Sequence, residues 1–369
     1  MKTLFAKAFL TVSLSFLLAG CSAKEAGWGN LGNGGVAPTR AGGGKLAASN
    51  GVLYAAFADW SASNKLSVMK FSDPDWVSVG APGFTMKPVN DFIFAVDNGT
   101  PTVAFSAEGS VSGTEALNVM KYDGANWASV GNADFATLGD SSAAFNLAVS
   151  DGVPTVAFAD ADSQLHVQNA SGGVWADVGG TVVSSRGQYP ALTMFNGQIT
   201  VLFSDSTGST EHALMLVGFD GAGWVPLATS PLTLDAGYGS DTSLTVSNGT
   251  LYATFFNAAS GPVMLSLKGG ALESIGGLGS ISNGAAVQYV TSAVYKGVPY
   301  VAFDDNSPAA YGSSRTAAVK RFDGTSWKYY GDPTTACDID QTHLAVDQKN
   351  GRVYLTYSNC DGVMTTIAD

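Results

Sequence analysis

Six short polar residues stand at matching places along the chain. Asp59, Asp160, Asp205, Asn257, Asp305 and Asn359 each lie two residues past an aromatic residue that closes an apolar run, and Ala107 fills the seventh such place. A ring of carboxylates suits a cation or the hydroxyls of a sugar. Two acids about 5–10 Å apart with separated pKa values, Asp160 and Asp305 for example, would suit glycoside cleavage. The same residue types also accept backbone N–H groups in tight loops. An anchor of that kind recurs in every copy, whereas a ligand site needs only a few, so the pattern favours anchors. Trp60 is different: it follows Asp59 among Ser61, Ala62 and Ser63, where an indole ring can stack on a sugar or on a partner's side chain. Tyr189, Tyr238, Tyr289 and Tyr311 fall in or near comparable loops. The candidate binding face is therefore Asp59, Trp60, Asp160, Asp205, Asp305 and Tyr311. His166, His212 and His343 have no companion at metal spacing, so neither a metal nor another cofactor is expected. There is no Gly-x-Ser-x-Gly elbow and no phosphate loop.

The elements that carry these residues repeat. Apolar runs ending in an aromatic recur seven times, from Leu53–Phe57 to Val353–Tyr357. A second pattern, Trp with an apolar residue and Gly shortly after, occurs at Trp28, Trp76, Trp127, Trp175, Trp224 and Trp327, with Ala228 for the Gly after Trp224 and Leu272 standing in for Trp in one copy. Successive spacings are 48, 51, 48, 49, 48 and 55 residues. An Asn-Gly, Asp-Gly or Lys-Gly pair precedes each apolar run, as a two-residue hairpin requires. In the third copy the four strands, A to D, read Phe145–Val149, Pro154–Phe158, Gln164–Gln168 and Trp175–Gly179.

Four strands per repeat at a period near 50 predict an all-β, seven-bladed β-propeller with four-stranded blades. The chain starts with a lone fourth strand, Gly27–Gly32, and stops after a third strand, Gly362–Asp369. The two pieces are expected to make one blade by 3+1 closure, leaving no open edge. The six framework Trp residues are expected to pack between blades. Composition agrees: 46% hydrophobic residues exclude a disordered chain and three Cys exclude a disulfide-dense one. A net charge of −12 argues against nucleic acid as a partner.

The N-terminus carries an address. Two Lys within seven residues, a run of apolar and hydroxyl-bearing residues from Ala8 to Leu18 and small residues at Ala19 and Gly20 form a secretory signal too short to span a bilayer. The junction Leu18-Ala19-Gly20-Cys21 resembles a bacterial lipobox. That resemblance implies a signal peptide over 1–20, lipidation of Cys21 and a tether over 21–26, and the repeats place the propeller over 27–369. It also implies attachment to the bacterial cell envelope through acyl chains, at the outer membrane because Ser22 follows the Cys. In that oxidising compartment Cys337 and Cys360, which flank the first two strands of the last copy, are expected to form a disulfide. The repeat architecture resembles bacterial seven-bladed propellers and, loosely, propeller lectins, without the Asp-box of sialidases or the signatures of kelch and WD40 blades. The expectation is a lipid-anchored binding protein that holds a glycan or an envelope protein on its B–C and D–A loop face. The alternatives are an envelope polysaccharide hydrolase or lyase, and a scaffold subunit of an envelope complex.

Overall fold

The computed structural model describes residues 28–32, 36–37, 41–139, 145–208, 213–228, 232–235, 242–257, 260–282, 287–305, 315–335, 339–359 and 362–368. They form seven antiparallel sheets, here blades 1 to 7, with strands A to D in each. Blade 1 runs Ala41–Ser49, Val52–Asp59, Lys65–Ser72 and Asp75–Ser78; blade 3 runs Phe145–Ser150, Val153–Ala159, Leu165–Asn169 and Ala176–Asp177; the A strands of blades 2, 4, 5, 6 and 7 are Asp91–Asp97, Gly187–Phe195, Ser243–Ser247, Val287–Tyr295 and Asp340–Val346. The A strand of every blade touches the A strands of both neighbours, right round to blades 7 and 1. The A strands are thus innermost and the seven blades form a ring. Among the described residues helix is confined to short 3-10 turns such as Trp60–Ala62. No helix among the described residues is long and apolar enough to cross a membrane.

The B strands hold the core because both their faces meet other blades. Phe57, Phe158, Phe203, Phe255 and Phe303 are fully buried, each stabilising the fold by about 1.5–3 kcal/mol through burial. Hairpins follow the Asn-Gly logic in six blades. Asn50 and Gly51, for instance, have φ of 56° and 85°, and Asp151 and Gly152 have 51° and 75°, the positive pair of a type I′ turn. Blade 7 departs from it. Strand A ends at Val346 and strand B starts at Val353, because Asp347 organises a longer loop: its carboxylate accepts the Lys349 N–H at 2.9 Å and its carbonyl accepts that of Gly351 at 2.8 Å. The C–D turns use Asp differently: Asp123, Asp220 and Asp323 each accept the two N–H groups of residues two and three ahead. Those bonds lower all three carboxyl pKa values from the ordinary range.

The Trp pattern is a junction between blades. The indoles of Trp76, Trp127, Trp175 and Trp327 donate to the carbonyls of Leu31, Val79, Val130 and Ile275 in the preceding blade, at 3.3, 2.8, 2.9 and 2.9 Å. Each ring also lies on the Gly that follows that carbonyl. A Cβ at Gly80, Gly131 or Gly276 would come within 2.8 Å of the indole. The Trp of one blade therefore requires the Gly of the blade before it. Blades 4 and 5 vary in step: Ala228 replaces the Gly of blade 4, Leu272 replaces the Trp of blade 5, and the two pack in one apolar cluster.

The last sheet has the order Gly29–Asn30, Gly362–Ala368, Val353–Asn359, Asp340–Val346. The N-terminal strand is two residues long rather than the expected six, with Gly29 opposite Ile367 and Asn30 opposite Thr366. Backbone bonds continue from Leu31 N–H to the Thr365 carbonyl (3.0 Å) and from Val36 N–H to that of Val363 (3.1 Å). Strand D of blade 3 is likewise shorter than expected, Ala176–Asp177, because 3-10 turns bracket it on both sides. Among the described residues three D–A loops fold back to add a short strand beside strand C: Ala136–Thr137, Leu232–Asp235 and Thr334–Thr335, a feature without a signal in the repeat pattern.

Candidate functional site

The B–C and D–A loops share one face of the disc, and the recurring Asp and Asn residues sit at its B–C loops. Asp59 is buried and caps the Trp60–Ala62 turn, accepting the Ser61 N–H at 2.9 Å and the Ser61 hydroxyl at 2.5 Å, with Ser67 on its other oxygen at 3.1 Å. Asp160 accepts the N–H groups of Asp162 and Gln164, both at 2.9 Å, and meets His166 Nε2 at 3.1 Å. Asp205 accepts from the Thr207 N–H at 2.7 Å, from its hydroxyl, and from Ser184 at 2.6 Å. Asn257 accepts from the Ser260 N–H and hydroxyl. Asp305 is buried beside Lys320, whose ammonium lies over the Tyr329 ring; burial lowers that Lys pKa and the Asp305 charge opposes the shift. The oxygens of Asp59, Asp160, Asp205 and Asn257 are engaged in holding these loops. Asp160 and Asp305 belong to blades 3 and 6, separated by three junctions of the ring, so they do not form an acid–base pair. No group of three or more metal-ligating side chains occurs among the described residues.

Trp60 is 52% exposed on that face and passes over Gly42 of strand A, whose Cβ position would be 3.5 Å from the indole nitrogen. The neighbouring loops are tied to it. Gly83 N–H bonds Ser67 Oγ, Asn64 bonds the Val89 carbonyl, and Lys87 reaches the Glu108 carbonyl at 2.5 Å and Asp134 at 3.7 Å. Ser110 and Asn118 also hydrogen-bond Asp134, and with Lys87 they lower its carboxyl pKa. Along this run of loops Met86 is 91% and Val111 68% exposed. The sector over blades 1 and 2 thus shows an indole and two aliphatic side chains among fixed polar loops. Met86 and Val111 carried no repeat signal and escaped the sequence reading; an apolar residue in a loop that belongs to no strand pattern was the available clue.

His166 is clasped between Asp160 and Asp177 (Nδ1 to Oδ1, 3.0 Å) and stacks on Phe158 at 5.2 Å. Each ring nitrogen meets a different carboxylate, so the arrangement braces blade 3. His343 joins blades 7 and 1: its Nδ1 accepts the Leu46 N–H at 3.2 Å. Desolvation, with help from the Lys45 charge, pulls its pKa from 6.5 to about 3. Asn146 and Thr291 do the same for Leu192 and Leu344 at the 3–4 and 6–7 junctions. Cys21, Tyr238, Tyr311, His212, Cys337 and Cys360 lie outside the described residues.

No protein-family model matches the chain, and no curated protein does. Solved structures of similar fold include the SapL1 lectin in complex with α-methyl fucoside (14% identity, TM-score 0.52, over 82% of this chain and 100% of that one). A mutant of AofleA from Arthrobotrys oligospora is also similar (13%, 0.51, 85% and 90%). So is the fungal lectin of Aleuria aurantia, described as a six-bladed propeller with fucose recognition (13%, 0.51, 80% and 97%). At such identities the likeness is one of fold: this chain is a seven-bladed β-propeller with lectins among its structural neighbours.

Proposed function

We propose that this chain is a lipid-anchored protein of the bacterial cell envelope, at the outer membrane, that binds a glycan or a protein through its B–C and D–A loop face. The observation that carries the reading is Trp60: a large aromatic ring, more than half exposed, fixed by a capped turn on the loop face rather than packed between blades. Rigid, exposed aromatics supply contact area at low entropic cost. Lectins among proteins of similar fold favour a glycan as the occupant. Cys21 carries the acyl chains, and Cys337 bonded to Cys360 braces the last blade. The hydrolase reading draws no support from Asp160 and Asp305, whose surroundings are given above.

The test is a glycan array and an envelope pull-down with the full chain and its Trp60→Ala variant. The expected result is one dominant class of glycan retained by the parent and lost by the variant, with both proteins melting alike. Retention of proteins alone would move the reading to the protein partner. A parent that retains neither would end it.

A further inference from the structure

Among the described residues, four A strands carry a β-bulge near the loop face, in blades 1, 4, 6 and 7. Each bulge holds one residue at positive φ: Gly43 (65°), Tyr189 (52°), Tyr289 (51°) and Gln341 (56°). Blade 1 makes the bulge with glycine, which shows that the backbone geometry itself does not call for a tyrosine. Blades 4 and 6 make it with the same dipeptide, Gln188-Tyr189 and Gln288-Tyr289. A bulky side chain in the left-handed region is strained, and such strain persists where the surroundings over-determine it and a task uses it. The surroundings are alike in both blades. The Tyr189 carbonyl accepts the Thr242 hydroxyl of blade 5 at 2.8 Å, and the Tyr289 carbonyl accepts the Thr342 hydroxyl of blade 7 at 3.1 Å, each across 53 residues.

Both dipeptides lie one position inside the loop face, Gln188 opposite Ser204 and Gln288 opposite Asp304. Gln288 is exposed and Gln188, Tyr189 and Tyr289 are half-buried, although the A strand is the innermost of each blade. Neither Gln amide has a hydrogen-bond partner among the described residues.

We propose that Gln188-Tyr189 and Gln288-Tyr289 are two equivalent half-sites for neutral saccharides on the inner part of the loop face. An amide donates and accepts at once, which matches adjacent sugar hydroxyls, and a tyrosine ring covers the C–H face of a pyranose. Neither dipeptide carries a charge, so neither offers a counter-charge to an acidic sugar. Two copies with blade 5 between them make the face bivalent toward a repeating glycan. This rests on the glycan-binding reading and gives it residues.

The experiment uses the full chain in detergent with free glucose, galactose, mannose, fucose and N-acetylglucosamine, read by saturation-transfer NMR. At least one sugar responds. Gln188→Ala with Gln288→Ala weakens that response about tenfold, the loss expected when a direct hydrogen-bonding side chain goes, and each single change removes about half. The isosteric pair Gln188→Glu and Gln288→Glu shows the same loss without changed packing. Tyr189→Gly keeps or raises the melting temperature, since it relieves the left-handed strain, and still weakens the sugar signal. No response from the parent, or an undiminished response from either double variant, overturns the proposal. Array binding that depends on Trp60 but not on these four residues removes the half-sites and leaves the wider glycan reading standing.

Discussion

Acidification should loosen the ring at the junction of blades 7 and 1 through one imidazole. The His343 pKa is lowered from 6.5 to about 3 in the fold, so the unfolded chain takes up the proton first. Stability is then full above about pH 6.5, falls as pH drops toward 3, and levels off below it. Two units of differential protonation, from pH 6.5 to 4.5, amount to about 2.7 kcal/mol at roughly 1.36 kcal/mol per unit. His343 keeps part of its surface accessible, so water offsets some of the desolvation and about 2 kcal/mol is the working figure. The carboxylates of Asp123, Asp134, Asp220 and Asp323 have pKa values lowered from 3.8; their contributions are present above that value and fade below it, outside this window. The comparison is with His343→Asn, which cannot titrate and whose carbonyl oxygen replaces Nδ1 as acceptor, as Asn146 does for Leu192. Urea midpoints at half-unit steps should fall for the parent and stay much flatter for the variant. Parallel curves would refute the assignment.

Gly131→Ala should cost about 2 kcal/mol or more, because its φ is 65° and its Cβ would meet Trp175 at 2.8 Å. Gly124→Ala, with nothing within 4 Å, should cost about 1 kcal/mol; equal losses in urea denaturation would deny the Trp–Gly junction. Deleting Trp28–Gly32 strips the strand that lies on Gly362–Ala368 and should broaden the unfolding transition or cause aggregation, unless the N-terminal pairing has no part in holding the ring. Cys21→Ser should release the protein from the membrane fraction on carbonate washing, and a variant that stays bound would sink the lipoprotein reading. Non-reducing peptide mapping of protein taken from the envelope should find Cys337 linked to Cys360; free thiols at both would end that pairing.

The number and order of the blades could be read from the chain because they rest on local signals. Asn-Gly turns, apolar B strands and the Trp spacing each act within a few residues, and their repetition averages out noise. The pairing of a Trp with the Gly one blade earlier was also present in outline, since Ala228 and Leu272 change together. The inner surface could not be read. His343 acts on Leu46, 297 residues away, and no local pattern announces such a contact. The bulges at Tyr189 and Tyr289 run against the propensity of their own residues, so a reading built on propensity passes over them. The recurring Asp residues were visible, and so was the reason to favour loop anchors; only the geometry shows how fully Asp59, Asp160 and Asp205 are engaged.

The central claim is that ligand binds on the B–C and D–A face. Hydrogen-exchange mass spectrometry of the full chain, with and without the glycan retained on the array, reads that face directly. The account predicts slowed exchange around Trp60–Asn64, in the loop carrying Met86 and around Gln188 and Gln288, with the A–B and C–D turns unchanged. Protection confined to those turns, at Asn50-Gly51 or Asp123-Gly124 for example, would contradict it.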